Sequence, residues 1–246
     1  MTSDYFREMT SGEIILSSLR LFQQHAIILV SVTILPELIL LGMDLLLRDF
    51  LTESPAALPV VMSMTVLSNA IALSAIITVI SGAVLGGAPT FGQTYQMVIQ
   101  NRLLVVVGVY FLTAFMTSAG LMLFILPGLL LGGLLSLAVP SVVVEGLRPL
   151  EAIQRSTKLV RSELPKAVTI FLFVLMISGL LPLMLQLGLG VGPLTPVLGA
   201  LLASITVPLG YAATVIFYLS MRSREGYTPA GLEQELNTRL GKTTGT

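Results

Sequence analysis

The chain has 246 residues, 54% hydrophobic and only 11% charged, with 13 Lys+Arg against 13 Asp+Glu; a soluble domain carries about 25% charged residues. Zero net charge says nothing about partners, and no nucleic acid is expected among them. The chain has no cysteine, which excludes disulfides, thiolate metal sites and cysteine nucleophiles.

The charge deficit falls in blocks. Asp, Glu, Lys and Arg are missing from Asn69 to Asn101, from Leu103 to Val144 and from Ala167 to Met221. A bilayer demands such runs, because a helix needs about 20 apolar residues to cross its hydrocarbon core. The opening, with Asp4, Arg7, Glu8 and Glu13, has no basic region leading into a short apolar one, so the first apolar stretch is expected to stay as a span.

Six spans are predicted in chain order, at about 26–47, 60–85, 103–125, 128–144, 167–187 and 197–221. The fourth is the shortest and follows the third across Leu126-Pro127, which predicts a tight hairpin. Polar segments precede the first, third and fifth spans. Ser18-Leu19-Arg20-Leu21-Phe22 aligns with Ser156-Thr157-Lys158-Leu159-Val160, and Thr94-Tyr95-Gln96-Met97-Val98 is a middle copy. The unit predicted is an amphipathic interfacial helix followed by two membrane helices, used three times.

Residue spacing supports the amphipathic helices. Leu150, Ile153, Thr157, Val160 and Leu164 share one face, opposite Glu151, Arg155, Lys158 and Ser162. Glu151 and Arg155 stand four apart in the favourable order, and Pro149 suits a first turn. In the first copy Ile15, Leu19, Phe22 and Ala26 oppose Glu13, Ser17, Arg20 and Gln24. Thr10 with Glu13, and Thr90 with Gln93, have capping-box spacing.

The fold expected is therefore all-α: a polytopic membrane bundle over 1–225 with three amphipathic helices, and a short tail at 226–246. With the N-terminus inside, Arg7, Arg20, Arg102, Arg148, Arg155, Lys158, Arg161, Lys166, Arg222, Arg224, Arg239 and Lys242 are all cytoplasmic and only Arg48 is outside. That asymmetry predicts cytoplasmic termini.

Intramembrane ionisable groups are the first candidates for function, because they are costly there. Glu37 follows Pro36 near the middle of the first span. It is either a proton or cation site, or a protonated acid bonded to Asn69, Ser74 or Thr78. Asp44, with Arg48 four residues on, reads as an interfacial ion pair. Glu145 closes the fourth span beside the basic helix Arg148 to Lys166, and a pair with Arg155 or Lys158 would fix that helix to the bundle. Arg148, Arg161 and Lys166, with Arg155 and Lys158, form a cluster suited to anionic lipid headgroups. His25 is the single histidine and reads as an interfacial polar residue. No metal, cofactor or catalytic constellation is legible, and none is expected. Gly82, Gly86 and Gly87, and Gly128, Gly132 and Gly133, are predicted to be small-residue helix contacts.

Val139-Pro-Ser-Val-Val-Val-Glu-Gly146, Pro149-Leu-Glu-Ala-Ile-Gln-Arg-Ser156 and Lys158-Leu-Val160 form an ordered set. Gly12-Glu-Ile-Ile-Leu-Ser-Ser-Leu-Arg-Leu-Phe22 precedes it and Phe217-Tyr-Leu-Ser-Met-Arg-Ser-Arg-Glu-Gly226 follows it. The set resembles a broad group of bacterial membrane proteins that includes the membrane domain attached to some glycerophosphodiester phosphodiesterases. The resemblance implies a helical membrane module with Glu145, Arg155 and Ser156 at its shared motif. In those phosphodiesterases catalysis belongs to a separate soluble domain using histidines and metal-binding carboxylates, so the activity does not carry over. The leading expectation is a non-catalytic scaffold or accessory subunit in contact with membrane lipids and another membrane protein. The alternatives are a transporter or lipid-handling protein built on Glu37, and a membrane-embedded enzyme starting from Glu37 and Asn69.

Overall fold

The computed structural model describes residues 5–46, 54, 57–100, 103–189 and 194–239. Asp4, Arg48, Asp49, Glu53, Arg102 and Lys242 lie outside these, as do the side chains of Asp44 and Arg239, and with them the expected Asp44–Arg48 pair. Every regular element among the described residues is helical. Six helical stretches are long and apolar enough to cross a bilayer: 11–43, 59–84, 103–123, 125–145, 149–188 and 195–223. The protein is an all-α, multi-pass membrane protein.

Helix α1, Ser11–Leu46, joins the first amphipathic segment to the first span. His25 marks the join, with non-helical backbone angles of φ −121° and ψ 20°. Helix α2 is Ala57–Val84, ended by a turn in which Gly86 adopts φ 90°. Helix α3, Phe91–Gln100, is the second amphipathic element and α4, Leu103–Leu123, the third span. The fourth span is broken into α5, Ile125–Leu135, and α6, Ala138–Glu145. Gly146, at φ 71°, ends α6 in the left-handed conformation that glycine favours. Helix α7, Pro149–Val160, is the third amphipathic element. A 3-10 turn, Arg161–Glu163, leads to α8, Leu164–Val174. A π-helical stretch, Leu175–Leu180, then connects α8 to α9, Leu181–Leu189. Helix α10 is Thr195–Ser223, and the 226–246 segment carries α11, Pro229–Arg239.

The order amphipathic helix, span, span therefore occurs three times. The aligned hydroxyls Ser18, Thr94 and Ser156 are all fully buried, at 0% exposure. Both expected capping boxes form: the Thr10 amide donates to Glu13 (2.8 Å) and the Thr90 amide to Gln93 (2.9 Å).

Several expectations need correction. The hairpin reverses at Phe124, and Pro127 lies within α5. A first-turn amide has no helical acceptor, so proline is tolerated there. The buried stripe of α7 is Ala152, Ser156, Leu159 and Val160, while Leu150 is 68% exposed. That of the first copy is Ile14, Ser18 and Leu21. In both, a fully buried serine sits among larger buried apolar residues. Glu151 caps α7 by accepting from the Arg148 amide (3.0 Å), leaving Arg155 to other partners. Gly128, Gly132 and Gly133 do make helix contacts, but Gly82 packs on Pro89 of the returning loop, Gly86 makes the turn, and a Cβ on Gly87 would meet nothing within 4 Å.

Helix α10 forms the centre, with α1, α2 and α8 around it. Pro36 in α1 and Pro208 in α10 each remove a helical amide and orphan the carbonyl four residues earlier. Both carbonyls find partners on other helices. The Tyr95 hydroxyl donates to the Val32 carbonyl (2.6 Å), and the Thr33 hydroxyl is shared between the Ser204 carbonyl (2.9 Å) and the Leu29 carbonyl of its own helix (2.9 Å).

Candidate functional site

The densest polar group lies where α6, α7, α10 and α11 meet, on the face that carries both ends of the described chain. Glu145 is the last residue of α6. Its carboxylate accepts from Arg155 Nε (3.1 Å to Oε2) and from the Tyr218 hydroxyl (2.8 Å), and lies 3.0 Å from Arg222 Nη1. Arg155 turns its two terminal nitrogens onto Glu225, Nη1 at 2.8 Å from Oε1 and Nη2 on Oε2. This two-pronged fit suits a guanidinium. Arg222 Nη2 donates to Glu235 of α11 (3.2 Å), and its guanidinium sits 3.7 Å from the centroid of the Tyr227 ring. The Tyr227 hydroxyl donates to Glu235 as well.

Two guanidinium groups thus hold three carboxylates. Arg222 is 8% exposed, an expensive position for a charge unless paired and hydrogen-bonded. The hydrogen bond from Arg155 holds the Glu225 carboxyl below its usual range. Burial, then the bond to Glu235, pushes the Tyr227 hydroxyl up.

A second group lies alongside. Arg224 pairs with Glu8 (2.8 Å) and with Glu163 (2.5 Å), and Lys166 pairs with Glu163 (3.3 Å). The Met9 amide donates to Ser220 Oγ (3.1 Å), so the N-terminal segment is fixed to the end of α10.

Ser156 joins α7 to the break in the fourth span. Its hydroxyl donates to the Leu134 carbonyl (2.6 Å) and accepts from the Leu137 amide (3.1 Å). One side chain thereby satisfies both backbone groups freed where α5 ends and α6 begins.

Glu145 and Arg155 are thus brought together, whereas Ser156 serves the break in the fourth span. Glu145 pairs with Arg155 and not with Lys158, which is exposed and acts on Glu225 through its field. Arg148 and Arg161 are exposed, as the headgroup reading requires, whereas Lys166 is held by Glu163. Sequence reasoning missed Tyr218, Arg222, Glu225, Tyr227 and Glu235 as one site. One signal was present: Arg222 stands four residues after Tyr218 at the end of an uncharged run, so both fall on one helical face.

Glu37 and Asn69 are not brought together. Asn69 donates to its own helix at Thr65 (2.9 Å), Ser74 to Ala70 (2.8 Å) and Thr78 to Ser74 (2.8 Å). Glu37 instead lines a hollow of ≈ 230 Å³ with Gln186 of α9 and Pro196, Gly199 and Ala203 of α10. No group of three or more metal-ligating side chains occurs among the described residues.

No family model matches the chain, nor does any curated protein or any solved structure. The architecture and the site define the class: a multi-pass helical membrane protein whose charged side chains link its elements at one face.

Proposed function

We propose that this is a non-catalytic accessory subunit or scaffold of the bacterial inner membrane, with both termini cytoplasmic, holding a protein partner on that face beside anionic lipid. The observation that carries the reading is the double ion network. Glu145, Arg155, Arg222, Glu225 and Glu235 link α6, α7, α10 and α11, while Arg224 links the N-terminal segment to the turn before α8. Long charged side chains that hold one another are positioning devices, and here they make one stiff plate. Exposed Arg20, Arg148, Lys158 and Arg161 border it with positive charge, each worth about 1 kcal/mol near an anionic surface.

Purification in mild detergent is expected to recover a partner protein in fixed stoichiometry. Recovery of the chain alone across several detergents overturns the reading. The hollow at Glu37 favours a second one, transport of a small cation or proton. The cysteine-free chain allows a clean discrimination: a cysteine at position 37 that reacts with a membrane-impermeant thiol reagent supports transport, and an unreactive one supports the scaffold.

A further inference from the structure

A separate internal space of ≈ 300 Å³ lies between α4, α5, α6, α8 and α10. It is at membrane depth. Tyr211, in its wall, stands two helical turns from Tyr218 of the charged plate, ~10 Å along α10 toward the opposite face. Two irregularities flank it. Leu175, the first residue of the π-helical stretch, lines one side, and Ser136, in the break between α5 and α6, lines another. A widened turn and an interrupted helix both keep neighbouring helices from closing, and π turns recur at functional sites.

Its chemistry is specific. Asp, Glu, Lys and Arg are missing from the described residues that line it, and most of its surface is hydrocarbon. The Thr113 and Ser136 hydroxyls turn onto the carbonyls of Val109 (2.9 Å) and Gly133 (2.8 Å). Tyr110 of α4 and Tyr211 of α10 both line the space. Each phenolic hydroxyl carries one hydrogen to donate and can also accept. The rim on α4 is formed by Ala114, Thr117 and Ser118, which are partly or fully exposed within a span. What enters there comes from the lipid phase.

These features select the occupant. Water needs two to four polar partners for each molecule, and this wall is mainly apolar. A charged headgroup would lose its hydration with no counter-charge to meet it. A hydrocarbon chain matches the walls, and one acceptor oxygen matches the tyrosine donor. The volume is at the small end of ligand pockets, enough for a head and the start of a chain whose remainder stays in the bilayer. We propose that this space binds an uncharged membrane lipid, with an acceptor oxygen held at the Tyr110–Tyr211 pair and its chain leaving past Ala114. A quinone carbonyl, a prenol hydroxyl and a diacylglycerol ester share that chemistry. The proposal stands independently of the scaffold reading.

The test uses the full chain in phosphatidylcholine nanodiscs and a diacylglycerol with a photoreactive chain. Labelling is expected to saturate and to map to α4 and α10. Competition by an isoprenoid quinone, a prenol and plain diacylglycerol, one at a time, identifies the source, and phosphatidic acid of matched chains should not compete. Tyr211→Phe keeps the ring and removes the hydroxyl, and should weaken the competing lipid by roughly three- to tenfold. Ala114→Phe fills the space and should abolish saturable labelling; should that variant not fold, Tyr211→Phe carries the test. Unsaturable labelling, equal competition by phosphatidic acid, or unchanged affinity in Tyr211→Phe each overturns the proposal.

Discussion

Single hydroxyls decide whether two kinked helices are tolerable in lipid. Pro36 and Pro208 each leave a carbonyl without its amide, and in hydrocarbon no water can take the place. Tyr95 and Thr33 supply the missing donors from other helices. Thr33→Val keeps the shape and removes the donor, so unfolding in mixed detergent should show a loss of about 1–3 kcal/mol. In a Pro208→Ala background the Ser204 carbonyl regains its helical amide, and the same substitution should then cost little. An equal loss in both backgrounds would show that Thr33 acts by some other route. Arg222 belongs to the same scale. Its nearly buried guanidinium is tolerated because Glu145, Glu235, Tyr218 and the Tyr227 ring meet it together.

Among the elements, the contrast between glycines separates packing from composition. A Cβ on Gly128 would meet the backbone of Leu121, and one on Gly120 would stand 2.9 Å from the Gly128 Cα. The α4–α5 hairpin closes only because both are glycine. A Cβ on Gly108, in the second turn of α4, would meet nothing within 4 Å. Gly128→Ala is therefore expected to lower the thermal midpoint in detergent, while Gly108→Ala should leave it unchanged or raise it, since alanine is the better helix former by about 1 kcal/mol. The same midpoint shift for both would refute the close-contact account. Closeness also explains why the buried stripes of α1 and α7 differ from the hydrophobic stripes of their sequences. Ser18 and Ser156 are fully buried, and periodicity weighs hydrophobicity without weighing distance.

Across the whole molecule, burial is uneven. Ala72–Ser81 of α2, Ala138–Val144 of α6 and Ala212–Arg222 of α10 are buried, all in the half nearer the chain ends. In the opposite half Met122–Leu126, Leu183–Leu185 and Pro196–Leu198 are exposed apolar surface suited to lipid. The packed half is the one the charged plate closes, so its integrity depends on the carboxylates. Arg155 holds the folded-state Glu225 carboxyl below its ordinary value of about 4.3. That contribution is fully present above the ordinary value and is lost as pH falls through the lower, folded one. Spin labels at cysteines replacing Gly92 and Ala230 should report a fixed separation at neutral pH and a broadened one once pH drops below the usual carboxylate range. A separation that broadens already near neutral pH would rule out Glu225 as the responsible group.

The sequence by itself determined the bilayer as solvent, the six apolar runs, the threefold order of elements and the capping boxes, because each depends on composition or on spacing within about one turn. It also brought Glu145, Arg155 and Ser156 to notice, since they lie within one short stretch. Only the tertiary structure decided that Arg222 and Glu235 complete that site, that Glu37 shares a hollow with Gln186, and that two tyrosines from α4 and α10 line one space. These are relations between residues far apart in the chain. They depend on helix rotation and distance of approach, which small residues and proline breaks set and which no periodicity records.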